Sequence, residues 1–300
     1  MKFKGLIAYL IIVTLLSAGF IVSMRMLGQK GFFLAGFYML VPAIAAIITR
    51  LFFYENKFRD ANLRFGKVNH YLKFWLVSLG ITILFFAAYT VFGAIKWDFS
   101  GNTFLDLLAQ QMAAGGKSIN DLPKGFTPYT MLLLYSIGGL TVFNILPGII
   151  AGFGEEFGWR GFMFPELYKI KPWAGFVIGG LIWFAWHVPL LFVFPQTADL
   201  VSCQQAVNFV VTAAGSICTF VFLSYVYVKT ENIFVASIAH ITMNNAGRSF
   251  SYFVVITNQM MANIAMMVAM MIVVAVLYYS GELKVFETYF KPRIDADAHG

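Results

Sequence analysis

A chain of 300 residues with 60 % hydrophobic and only 12 % charged side chains cannot dissolve as an ordinary globular domain, in which about a quarter of residues are charged. Its mean hydropathy of +0.76 calls for lipid as part of its solvent. The formal net charge of +7 would suit nucleic acid in a soluble protein, but in a membrane protein basic loops set orientation and meet anionic lipid, so no nucleic-acid partner is expected.

Backbone groups must be paired in hydrocarbon, which restricts spans to helices or a closed barrel. Apolar runs of about 20 residues without strict alternation choose helices. The expected fold is all-α, a polytopic transmembrane bundle of about eight helices near residues 5–24, 31–53, 74–95, 129–153, 173–194, 206–228, 232–248 and 252–279. The first run, Leu6 to Met24, is too long for a signal core and lacks a clear cleavage site, so it reads as a span.

Between the second and third runs, Glu55 to Lys73 carries Lys57, Arg59, Arg64, Lys67 and Lys73, the densest basic segment. The positive-inside rule places it in the cytoplasm together with both termini. Alternation then brings Arg160, Lys169, Lys171, Lys229, Lys284, Lys291 and Arg293 to that side, and leaves Arg25, Lys30 and Arg248 on the other. The loop 195–205 has no Lys or Arg and falls outside. Gly101 to Phe126 is a longer polar loop, helical around Thr103–Met112, and the tail beyond Lys284 is short and polar. No repeat or linker divides the chain. One membrane domain over 1–300 is expected, with N-terminal helices at 1–95, a core at about 129–250 and a tail at 281–300. Cys203 and Cys218 have no metal-ligand spacing and read as ordinary helix residues.

Thr127 to Gly154 contains no charged side chain, and then Glu155, Glu156 and Arg160 arrive together. Two later apolar segments hold one histidine each: His187, in Trp183-Phe184-Ala185-Trp186-His187, and His240, followed by Asn244. Ionisable groups in apolar spans cost about 2.5 kcal/mol or more each on insertion, so they read as functional. Glu156 and Arg160 are i,i+4 neighbours and can pair, while Glu155 has no partner on its own helix and could serve as a general base. His240 and Asn244 share one helix face and could donate to an oxyanion. Each feature also has a plainer reading. The acids can mark a solvated helix end, His187 can stiffen a kink before Pro189, and His240 with Asn244 can be a packing bond. Depth poses a further question. Glu155 ends an uncharged run, whereas His187 lies about 20 Å along a span starting at Trp173. The two meet only if the fifth span starts later or the glutamate-bearing helix dips into the membrane, for which Pro147-Gly148 offers a break.

The ordered set Glu155-Glu156-x-x-x-Arg160, the aromatic Trp183-x-x-x-His187, and His240-x-x-x-Asn244 resembles the CPBP intramembrane protease family. That family includes the CAAX prenyl endopeptidases and the bacterial Abi proteins, some linked to bacteriocin immunity. The resemblance covers about residues 129–250. It implies an endopeptidase acting on a membrane-associated peptide or protein in a bilayer, with a bacterial plasma membrane as the expected setting. By the same resemblance Glu155 and His187 activate water, His240 and Asn244 stabilise the oxyanion, and Glu156 with Arg160 supports the helix. Both metal-dependent and metal-free glutamate mechanisms are ascribed to the family. A zinc version would use Glu155, His187 and His240 as ligands. No HExxH is present, and glutamate/histidine activation without tightly bound metal is the preferred expectation, so no cofactor is assigned. The family usually has phenylalanine where this chain has Trp183, which bears on substrate choice. The rival from another class is a non-catalytic transporter or an immunity or scaffold protein on the same fold, since proton-coupled transporters also bury Glu and His. No inverted repeat supports a transporter.

Overall fold

The computed structural model describes residues 2–114, 116–146, 148–191, 193 and 203–299. Pro147 and most of the loop 195–205 lie outside the described residues, as does the side chain of Cys203; Cys218 is a free thiol. The chain is a bundle of α-helices, as its composition requires, with one small sheet at one end.

Helix α1 (Lys2–Leu27) is followed by the short α2 (Leu34–Tyr38), α3 (Val41–Phe53) and α4 (Val68–Val91). Strand β1 (Ile95–Trp97) and helix α5 (Asn102–Ala114) come next, the helix falling where the polar loop was expected to be helical. Helix α6 (Pro128–Leu140) is followed by α7 (Ile149–Gly158), a π-helical turn (Trp159–Met163) and α8 (Phe164–Ile170). A second π turn (Ala174–Ile178) opens α9 (Gly179–Leu191). The remaining elements are α10 (Cys203–Thr230), α11 (Ile233–Ser251), strand β2 (Val254–Ile256), α12 (Gln259–Tyr279) and α13 (Val285–His299). The two strands pair antiparallel with Ile95 opposite Ile256.

Among the described residues five helices are long and apolar enough to cross a bilayer: Phe3–Leu27, Leu34–Phe53, Val68–Val91, Ala206–Thr230 and Gln259–Tyr279. The expected count of eight is not reached by that measure, for three local reasons. The run 129–153 is not one helix, because α6 stops at Leu140 and Thr141 turns into extended backbone. Helix α9 with its π turn gives a shorter apolar helix, Ala174–Leu190. Helix α11 carries His240, Asn244, Asn245 and Arg248 and is largely buried by its neighbours, not by lipid. On the outward faces of the long helices, Leu15, Val22, Ile83 and Val276 are exposed, which is the pattern of a lipid-facing surface.

The basic loops gather at one end. Arg50 is buried and donates to the carbonyls of Lys57 and of Gly161, the latter at 2.7 Å inside the first π turn. Asn62 donates to the hydroxyls of Tyr227 and Tyr289. Lys229 and Tyr225 both donate to Glu282, and these bonds hold its carboxyl below the usual carboxylate value. At the opposite end lie α5 and the sheet, where Asp98 receives bonds from Ser100 and Thr103 that keep its carboxyl low. Orientation can be read by labelling. In a background lacking Cys203 and Cys218, Arg59→Cys should react with a membrane-impermeant maleimide from the cytoplasmic side and Lys117→Cys from the other, both positions being exposed. Labelling of both from one side would break the assignment.

Candidate active site

The depth question is answered by the shape of the segment 149–170. Helix α7 begins at Ile149 and continues through the π turn into α8, so Glu155 sits in the first third of a nearly continuous rod. From Glu155 to Ile170 is about 22 Å of helix, and from Ala174 to His187 is about 20 Å on the returning helix. The two residues therefore face each other at one level. The glutamates do not end the helical rod; they lie within it.

Glycines let this rod approach its neighbours closely. A Cβ on Gly154 would meet the Met39 carbonyl at 2.6 Å, and one on Gly158 would meet Pro42 at 2.3 Å. Small residues at such points are how membrane helices come into contact, there being little hydrophobic drive between them. These contacts set α7 against the start of α3 on either side of the glutamate pair. The π turn that follows widens the helix beside Arg160, a kind of defect frequent at functional sites.

Glu155 is 5 % exposed. Its Oε2 accepts a hydrogen bond from Trp183 Nε1 at 3.0 Å and lies 3.7 Å from His187 Nε2. Its Oε1 has no hydrogen bond among the described residues. On His187, Nδ1 donates to the Trp183 carbonyl at 2.8 Å, so the ring presents Nε2 to Glu155. The His187 side chain is 37 % exposed, the more open half of the pair. Its helix is held from the N-terminal side of the chain: Tyr38 donates to the Trp186 carbonyl at 2.7 Å and stacks on its indole, whose Nε1 donates to Ser17.

Glu156 is fully buried and does more than pair with Arg160. Its Oε1 accepts from Arg160 Nη1 at 2.8 Å and from His240 Nδ1 at 2.7 Å. Arg160 is itself fully buried, with Nε and Nη2 unbonded among the described residues. Its guanidinium lies 4.8 Å from the Trp183 ring centroid and 4.2 Å from that of Phe220, so cation–π contact replaces part of the missing hydrogen bonding. Asn244 is one turn beyond His240, exposed, and without a hydrogen bond among the described residues. Its neighbour Asn245 instead ties α11 to the Asn144 carbonyl.

Five of the expected site residues thus come together, Glu155 with His187 and Glu156 with His240 and Arg160, while Asn244 makes no hydrogen bond to either group among the described residues. Sequence reasoning missed the Glu156–His240 bond, the Trp183–Glu155 bond, and Tyr38 with Ser17 as supports. Only the Trp183-x-x-Trp186-His187 cluster gave a signal. Metal ligation fares differently. Among the described residues no group of three or more His, Cys, Asp or Glu stands close enough to hold a metal ion. The three expected zinc ligands, Glu155, His187 and His240, do not form such a group.

The fold and site define a helical membrane protein with two carboxylate–histidine pairs enclosed in its bundle. Residues 137–246 match the family described as type II CAAX prenyl endopeptidase Rce1-like. The matched segment is less than half of the chain but contains every motif residue, and over it the chain is similar to that family. No curated protein was found to match the chain.

Proposed function

We propose that the chain is an intramembrane endopeptidase that hydrolyses a peptide bond of a membrane-associated substrate with water activated by Glu155 and His187. The observation that carries this reading is the 3.7 Å approach of His187 Nε2 to Glu155 Oε2, with the far ring nitrogen fixed on the Trp183 carbonyl. A carboxylate and an imidazole this close can both reach one water molecule lying beside them, which is the arrangement general acid–base chemistry needs. Water held beside the pair gives a proton to Oε1 of Glu155, the oxygen that Trp183 leaves free, as its own oxygen bonds to the scissile carbonyl carbon. The carbonyl becomes an oxyanion. The carbon–nitrogen bond then breaks as the proton passes to the leaving amine, giving a carboxylic acid and an amine.

His240 and Asn244 supply the donors to that oxyanion. Because His240 Nδ1 is spent on Glu156, Nε2 can donate only when the ring carries both protons. The charges favour this state. Glu155, Glu156 and Arg160 alone leave one buried negative charge, and a protonated His240 brings the four groups to neutrality. Asn244→Ala should lower kcat by about 10²–10³ with little change in KM, as loss of one oxyanion donor does elsewhere. Steady-state hydrolysis of a membrane-anchored peptide by purified protein tests it, and an unchanged kcat would remove Asn244 from the reaction. The cytoplasm is the proposed side of the basic end and of both termini.

A further inference from the structure

Trp183 stands where the related family usually has phenylalanine, and the difference is chemical as well as steric. Phenylalanine has no polar atom; the indole has one N–H, and that N–H ends on Glu155 Oε2 at 3.0 Å. The same ring covers the Arg160 guanidinium and meets both histidines edge-on, with centroids 5.2 Å from His187 and 5.9 Å from His240. Trp183 is 8 % exposed. No other residue touches all four of the ionisable groups Glu155, Arg160, His187 and His240 among the contacts described.

We infer that Trp183 is a positioning residue for the catalytic carboxylate: its indole N–H fixes the Glu155 rotamer, capping Oε2 and leaving Oε1 to take the proton from water. This inference rests on the protease reading above for its consequence, but not for the contact. A carboxylate in an apolar bundle has few donors to hold it, and one set on a flexible side chain can turn its oxygens away from the water. The indole packs against the Arg160 guanidinium and the Phe220 ring, so its N–H direction is determined by the core. The carbonyl of the same residue receives His187 Nδ1. One residue therefore sets both members of the activating pair, the acid through its side chain and the base through its backbone. The effect falls on catalysis, whereas sequence reasoning assigned this position to substrate choice.

Two substitutions separate the N–H from the ring. Trp183→Phe removes the N–H and shrinks the ring, and incorporation of β-(3-benzothienyl)alanine at position 183 removes the N–H while keeping the shape. Both should lower kcat by about 10–100-fold, the range for losing a hydrogen bond to a charged group, with KM unchanged. Parental kcat in the benzothienyl variant would overturn the inference, since packing alone would then explain the residue. The contact has its own readout. In protein labelled with ¹⁵N-tryptophan, the indole signal that disappears in Trp183→Phe should shift in Glu155→Gln. An unmoved signal would mean that no bond joins the two residues and would overturn the inference by itself. This spectrum decides the contact even in a parent that hydrolyses no peptide, so failure of the protease reading and failure of the Trp183 role are separate results.

Discussion

Glu155→Gln is expected to lower kcat by about 10²–10⁴, the span attributed to a positioned general acid–base. Glutamine keeps the shape and can still accept the Trp183 hydrogen bond, so the helix packing on either side should survive. What it cannot do is take a proton from water at the free oxygen. Thermal unfolding in detergent should therefore match the parent while turnover disappears. The combination matters, because an inactive and unstable variant would report on folding. Parental turnover in a folded Glu155→Gln protein would show that another group activates water, and His187 alone would then be the candidate.

Glu156→Ala should behave in the opposite way. It leaves Arg160 fully buried with neither its carboxylate nor a replacement, and breaking a buried pair from one side costs about 3–5 kcal/mol. His240 loses its Nδ1 partner in the same step. Stability and activity should fall together, measured as denaturant or thermal unfolding and as kcat on one preparation. The double variant Glu156→Ala/Arg160→Met removes both charges and should recover much of the lost stability, since apolar replacement of a whole buried pair is often neutral. It should not recover activity, because His240 remains without its carboxylate. Equal stability of Glu156→Ala and the parent would mean that the pair is not load on the fold at all.

How much of this was readable in advance follows from which contacts lie along one helix. The Glu156–Arg160 pair was visible because i,i+4 spacing places both on one face. The order and apolar character of the long helices were visible from hydropathy. The break between α6 and α7 was only half visible: Pro147-Gly148 marked it in the sequence, but residues 141–148 are as uncharged as the helices around them, so hydropathy ran the span 129–153 straight through. Helix α11 read as one more apolar span carrying His240 and Asn244, and its burial by neighbouring helices was not evident from that. Contacts between helices were the least legible. Trp183 reaches Glu155 and His240 reaches Glu156 across long sequence separations, and they depend on helix rotation about the axis, which one sequence does not specify. The same limit applies to Tyr38 and Ser17, which support the His187 helix from the first two helices of the chain although nothing around them suggests a site.

The measurement that bears most directly on the central claim is mass spectrometry of peptide termini after purified protein, reconstituted in bilayers, is incubated with membrane-anchored peptides in H₂¹⁸O. The account predicts a new pair of termini at a defined bond, one ¹⁸O atom in each new carboxylate, and no such products from Glu155→Gln. Absence of new termini from the parent, or the same products in equal yield from Glu155→Gln, would contradict it.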